Sequence, residues 1–533
     1  MHGTTPQPRA VSRRVAVAAA LAVTLAGSAV TVTAQEDDLD VLKVAHTANI
    51  TTWDPVASFS TEAQYMGNMY EPLIWATPAG ADEEYVPGLA TSWSTSEDGL
   101  TWTFELEQGV TFHDGEPFDA AAAKASIDAA RERGGAGFIW GPVESVEVVD
   151  DYTIDINLST PAALDLIASS TYAAWMVSPA ALEAAAADPE FFESGEASYG
   201  TGPYMLESYV PDTEVLLTQF PDYRLGWDDA DHYEKVLITI TPESIDQQQA
   251  LEGGQVDIAN RVPPESVEGL DANPDFTVHR DPSLFTYVGL LNTQRAPLDD
   301  TRVRQALALA TPYSDIIDVS VLGQGTQNRA SVPVGIFPDS SNTSMWSQDM
   351  EAAKALMAEA GVEGFDMEIT YAAENPVEAA FAPLLQDAYG ELGINVTLTP
   401  MPFNQQWDRS KGDPDGRQDM FLLLWWPANS DAGADNLTSL FRSSEEPSFN
   451  LSYWQNETYD SLIDEATALT GSDRDAAQAK YAEAMELLVE ESPGIFFLDT
   501  SAVTTVANTV EGFEYNINYP FTQIMFYQLS PAA

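Results

Sequence analysis

The stretch Met420–Leu437, MFLLLWWPANSDAGADNL, decides how the chain is read. Its six consecutive apolar or aromatic residues, Phe421 to Trp426, form the pattern of a strand buried on both faces, as found inside a parallel sheet. Pro427 ends the run because it cannot donate to a ladder. A small polar loop of Ala, Asn, Ser, Asp and Gly follows. In open α/β sheets, ligands gather where strands give way to such loops. Side chains alternate along a strand, so Trp425 and Trp426 point to opposite faces, one available to the core and its neighbour to a cleft. A tryptophan pair is as often core alone, and the loop's Asp and Asn also serve as turn formers. The rest of the chain tips the balance.

Around this stretch, strands alternate with helices. From Asp349 the pattern predicts a helix over 350–360 ended by Gly361, a strand over 367–371, a helix over 377–392 and a strand over 394–400. This succession implies βαβ units and a parallel sheet. Helices over 457–469 and 474–491 come next, then strands over 494–498 and 503–506. The N-terminal part differs. Residues 40–50 read as a first strand, 100–107 alternate strictly, and Asp119 caps a helix over 120–131. A hairpin turns at Asp150-Asp151, and a tight glycine turn lies at Gly200–Tyr204. A buried strand spans 285–291, and Asp300 caps a helix over 301–310. The chain is thus mixed α+β to about residue 285, α/β to about 500, and β-like at its end. That order suits two lobes between which the chain crosses more than once, with a cleft in the middle.

Composition limits what the protein does. At 533 residues the chain is too long for a single core. Arg9, Arg13 and Arg14 precede an apolar run, Val15–Ala26, and Val32-Thr33-Ala34 forms a small-x-small cleavage pattern. Residues 1–34 are therefore expected to be a signal peptide, with export to the periplasm or the envelope exterior. Ser12-Arg13-Arg14 is a weak twin-arginine signal. There are no cysteines, so disulfides, a lipid on a cleavage-site Cys and Cys-ligated metals are excluded. The formal net charge is −61, which argues against nucleic acid and anionic membranes as partners. Lysine occurs only six times against 83 acidic residues. Such a surface repels itself until salt screens it. That suits a saline habitat, so the melting temperature is expected to rise between low and molar salt; a flat response would contradict such a habitat.

Catalytic patterns are missing. There is no G-x-S-x-G, S-x-x-K, H-E-x-x-H, Walker A or G-x-G-x-x-G motif, and the five histidines show no ligand spacing. With 83 acidic residues, carboxylate pairs arise by chance and carry no weight. No catalytic residue, metal or cofactor is expected.

Several segments, in order, resemble the family-five extracellular solute-binding proteins, the peptide/nickel group that feeds ABC importers. They are Tyr70-Glu71-Pro72-Leu73, Val86–Trp93, Asp98–Phe104 with Gly109–Phe118 (GVTFHDGEPF), Gly200–Tyr204 (GTGPY), Leu251–Ile258, and Asn292 with Pro297–Leu307. The resemblance spans roughly residues 40–530. It implies an α/β, two-lobe periplasmic-binding-protein-like fold with hinge strands and an extra α+β subdomain in the first lobe. The implied division is 35–74, 198–286 and 503–533 for the core of lobe I, 75–197 for the subdomain, and 287–502 for lobe II. Crossings are expected near 285–292 and 497–504. His113 and Asp114 belong to the family's structural turns. The implied function is a monomeric, non-enzymatic receptor that delivers a peptide or similar polar solute to an ABC permease. An extracellular hydrolase on a similar frame, or a ligand sensor, is the alternative.

In peptide-binding members of the family the loop after the buried strand reads W-x-x-D, and its Asp holds the peptide's amino terminus. Here Ala428 stands at that position. Either Asp431 or Asp435 substitutes, or the ligand has no free α-amine. The expected cleft residues are Trp425, Trp426, Asn429 and Asp431, with Asn49, Thr51 and Trp53 from the opposite lobe.

Overall fold

The Met420–Trp425 strand sits inside the molecule's main sheet, where neighbours cover both of its faces. The computed structural model describes residues 41–532 except 48–49, 59–60, 79–80, 82, 134, 228–230, 428–430, 445–446 and 520–523, and only the backbone at 434. The expected signal peptide, Asn49, Ala428 and Asn429 lie outside the described residues. In spatial order the sheet runs Asn395–Met401, Asp366–Ala372, Met420–Trp425, Phe276–Leu291, Gly494–Ala507, Ile258–Ala259, Val41–His46, Lys235–Ile240, Glu214–Gln219 and Tyr204–Val210. Gly325–Thr326 also pairs with Gly494–Ala507.

Alternation along Met420–Trp425 sends side chains into two separate cores. Met420 and Leu422 pack with Ile369, Phe381, Leu385 and Phe497 on one face. Phe421 and Leu423 pack with Val288, Leu290, Phe441 and Tyr481 on the other. All four strand side chains are at most 1% exposed, and burying each contributes about 1.5–3 kcal/mol. The expected parallel pairing holds on one side of the strand and not on the other. The strand runs parallel to Asp366–Ala372 but antiparallel to Phe276–Leu291, because the latter enters from the other lobe.

Two long strands join the lobes. Phe276–Leu291 pairs with Gly494–Ala507 over nearly its whole length, with register shifts between Pro282 and Thr286 and between Tyr287 and Val288. Val278 packs in a lobe I cluster and Leu284 in a lobe II cluster. On the partner strand, Phe496–Leu498 pack in lobe II and Val506 in lobe I. The sequence reads as two short strands at 494–498 and 503–506 because Asp499, Thr500 and Ser501 interrupt the apolar pattern. The backbone stays extended through them, Asp499 and Ser501 pairing with Phe276–Leu291 and Thr500 with Gly325.

Lobe I also carries a four-stranded antiparallel sheet, ordered Ala90–Thr95, Thr101–Leu106, Thr153–Leu158, Val143–Asp150. The helix Ala120–Arg133 covers it through Ala123, Ile127 and Ala130. The predicted helices over 350–360 and 474–491 are found with those ends, each capped by an Asp side chain, Asp349 and Asp473.

Candidate ligand-binding cleft

The ends of Asp366–Ala372 and Met420–Trp425 lead into loops beside the hinge, since Trp425 sits opposite Thr286 on the hinge strand. Trp425 is half-buried and T-stacked on Phe449 at 5.3 Å, and its Nε1–H donates to Asp435 Oδ1 at 3.2 Å. Trp426 is 38% exposed and meets Phe285 edge-on at 5.8 Å. The two indoles thus serve different neighbours, one anchored in lobe II and the other open to solvent beside the hinge strand. Asp431 is buried against lobe II. It bridges to Phe337, and burial together with the Asp431 charge raises the pKa of Tyr481.

Thr51 and Trp53 of lobe I are not brought to these tryptophans. Thr51 donates from its amide and hydroxyl to the buried carboxylate of Glu62, at 3.3 and 2.9 Å. Trp53 is 5% exposed, packed on Tyr65 and Tyr209 with its indole against Gly195. Among the described residues, neither bonds to lobe II.

The structure adds residues that the sequence reading missed. Arg261 of lobe I is exposed and has no ion pair among the described residues; burial lowers the His46 pKa to about 3 with the Arg261 charge adding to it, and burial raises that of Tyr287 in lobe II with the same charge weakly opposing. Glu378 is 2% exposed and accepts from the Ala372 amide at 2.9 Å and Asn375 Nδ2 at 3.0 Å; burial pushes its pKa up to about 8. Asp499 lies on the hinge strand and is 4% exposed. For Asp499 there was a signal, an acid closing the apolar run GIFFL. Arg261 and Glu378 had none, because burial and cross-lobe proximity leave no local pattern.

The lobes also meet through one cation. Arg474, the first residue of the lobe II helix Arg474–Glu491, donates through Nη2 to both oxygens of Asp165 in lobe I, at 2.8 and 2.9 Å. Its Nη1 reaches Glu84 Oε2 at 3.0 Å and Tyr85 OH at 3.3 Å. The guanidinium lies 5.7 Å from the Tyr85 ring and 5.5 Å from that of Phe337. Burial raises the Asp165 pKa, and Arg474 partly opposes that rise.

The sequence motifs of lobe I are mostly internal joints. The Gly202 amide donates to Met69 O at 2.9 Å, and a side chain at Gly200 or Gly202 would run into the Met69 backbone. His113 Nε2–H donates to Gly202 O at 2.9 Å, while Nδ1 lies 2.9 Å from Ser198 Oγ. Ser198 Oγ already accepts from the Leu206 amide, so its own proton goes to His113 Nδ1. The ring is therefore neutral, and burial pushes its pKa down to about 4. The unfolded chain takes this proton near pH 6.5. Stability from His113 is thus complete above pH 6.5 and is lost as pH falls toward 4. The unfolding constant should rise by up to about tenfold per pH unit from this group. Urea titrations of wild type and His113→Gln across that window are expected to differ in slope with that sign.

Comparison with known proteins gives a consistent set. The family model for bacterial extracellular solute-binding proteins, family 5 Middle, matches residues 84–447. The probable D,D-dipeptide-binding periplasmic protein DdpA of Escherichia coli is 26% identical over 489 residues, covering 90% of this chain and 92% of its own. The glutathione-binding protein GsiB of Salmonella paratyphi A is 29% identical over 483 residues, covering 88% and 91%. Among solved structures, HbpA2 from Haemophilus parasuis superposes with a TM-score of 0.81 at 25% identity, covering 92% of this chain and 100% of that one. DppA from Helicobacter pylori in complex with the peptide STSA gives 0.73 at 24% identity, covering 92% and 98%.

Proposed function

Because the chain belongs to the bacterial extracellular solute-binding proteins of family 5, we propose that it captures a short peptide between its lobes and delivers it to an ABC permease. The observation that carries this reading is the pair of continuous strands joining two separately packed lobes, with Trp425 and Trp426 at their edge. The relatives named for dipeptide and glutathione binding support the ligand class. A ligand that touches both lobes only when they are closed shifts the population toward that state. Closure then marks the loaded receptor for its membrane partner.

Trp425, Trp426, Asn429 and Asp431 form the lobe II wall in this reading, and Asn49 borders it from lobe I. Thr51 and Trp53 belong to the internal packing of lobe I, on Glu62 and on Tyr65 and Tyr209. The protein acts as a monomer without catalysis, as a family of binding proteins favours. It works outside the cytoplasm, after removal of residues 1–34. Among the described residues no helix is long and apolar enough to cross a membrane, and the D,D-dipeptide-binding relative is periplasmic by name.

Native mass spectrometry of the protein purified from its own cells tests the ligand class. A co-purifying mass that fragments as a short peptide supports it. Turnover of an added peptide or glycan would instead favour the hydrolase.

A further inference from the structure

A cavity of about 440 Å³ opens at the hinge, lined by Arg280 and Asp281 from one crossing strand, Asp499 from the other, and Arg329 from lobe II. Asp499 is the unusual member. It is 4% exposed, and its Oδ1 accepts from Asn328 Nδ2 at 2.6 Å. Asn328 is itself fixed, because its Oδ1 accepts from the Ser331 amide at 2.7 Å. The second oxygen, Oδ2, has no hydrogen bond of proper geometry. The Thr286 hydroxyl and Val334 amide lie near enough to favour the charge, yet Thr286 Oγ1 is also without a well-formed partner. A buried carboxylate oxygen left this way costs about 1–3 kcal/mol or more. Among the described residues Asn328 is the one partner that meets this carboxyl with good geometry.

We propose that the hinge cavity anchors the free amino terminus of the bound peptide, with Asp499 Oδ2 accepting from its ammonium. The inference rests on the peptide-receptor reading above. It supplies the acid that the W-x-x-D pattern lacks here, where Ala428 stands. The other charges in the wall fit the same ligand. Arg280 is ion-paired with Asp271 at 3.3 Å, and Arg329 donates one Nη1 bond to Thr343 O at 2.6 Å, which leaves further N–H groups for a ligand carbonyl or carboxylate. Two guanidiniums and two carboxylates around one cavity match a zwitterion better than a neutral sugar. Burial holds the Asp499 carboxyl up at about 7, and an acid in that range gains strongly from a cation placed beside it. The cavity also touches both crossing strands, so a ligand seated there would act on the hinge itself.

The test is calorimetry of the full mature chain with L-alanyl-L-alanine, tri-L-alanine and glutathione, each also in N-acetylated form. Wild type is expected to bind at least one free-amine peptide and to lose tenfold or more on acetylation. Asp499→Asn should lose a similar factor for the free-amine form and little for the acetylated one. If the acetylated peptide binds wild type as tightly as the free amine, or if the variant binds the free amine unchanged, the anchor is wrong while the peptide receptor stands. If no peptide of the set binds wild type, both readings fall together. Should Asp499→Asn not fold, the wild-type comparison of free and acetylated peptide decides alone.

Discussion

Glu71→Ala is expected to lower the unfolding free energy by about 3–5 kcal/mol, the range for removing one partner of a buried ion pair. Glu71 is 1% exposed and holds Arg224 through Nε and Nη2, both at 3.0 Å. It also accepts from Thr201 Oγ1 at 3.0 Å and from Tyr223 OH at 3.4 Å. One carboxylate therefore ties the Tyr70–Leu73 segment to the Gly200–Tyr204 turn and to the strand exit at Tyr223-Arg224. Burial pushes the Glu71 pKa up against the pull of Arg224, so the charge is maintained only by its partners. Removing the carboxylate leaves the Arg224 side chain, 13% exposed, with no counter-charge there. Glu71→Gln keeps the shape and part of the bonding, and should cost less. Urea unfolding in molar salt measures both; a loss below 1 kcal/mol for Glu71→Ala would show the joint to be dispensable.

Arg474→Ala should act differently, on the lobes' relative position and not on either core. The bidentate bond to Asp165, the bond to Glu84 and the Tyr85 ring contact all cross from lobe II to lobe I, while the Phe337 ring flanks the guanidinium from lobe II itself. Without the guanidinium, Asp165 stays buried and unpaired while the lobes are together but regains water when they part. The closed arrangement should lose on the order of 3 kcal/mol, a bound taken from buried pairs and trimmed by the 22% exposure of Arg474. At 1.4 kcal/mol per factor of ten, ligand affinity should fall by roughly tenfold to a hundredfold. Asp165→Ala should do the same, and the double variant little more than either alone. If Arg474→Ala lowers the melting temperature sharply and leaves affinity unchanged, the pair belongs to a common core instead.

How much of this was visible in the amino-acid order depends on the range of the interaction. The buried strand at Met420 was legible because its alternation is local, and its two faces enter different cores as the unbroken apolar run implies. Helix ends at Asp349, Asp300 and Asp473 were legible because a cap is made within three residues. Strand direction was not, since the antiparallel neighbour Phe276–Leu291 comes from more than a hundred residues away. The same limit applies to the cleft. Trp426 could be singled out from its place at a strand end, whereas Trp53, chosen from a similar strand-to-loop exit, lies against Tyr65 and Tyr209. The Arg474–Asp165 contact joins segments 309 residues apart and leaves no trace in either.

Small-angle X-ray scattering of the mature chain, alone and with a saturating amount of the peptide identified by calorimetry, tests lobe closure most directly. The account predicts a smaller radius of gyration with peptide than without, and an Arg474→Ala protein that is more extended when free and compacts further on binding. An unchanged radius in both proteins on saturation, with binding established independently, would contradict a receptor that works by closing on its ligand.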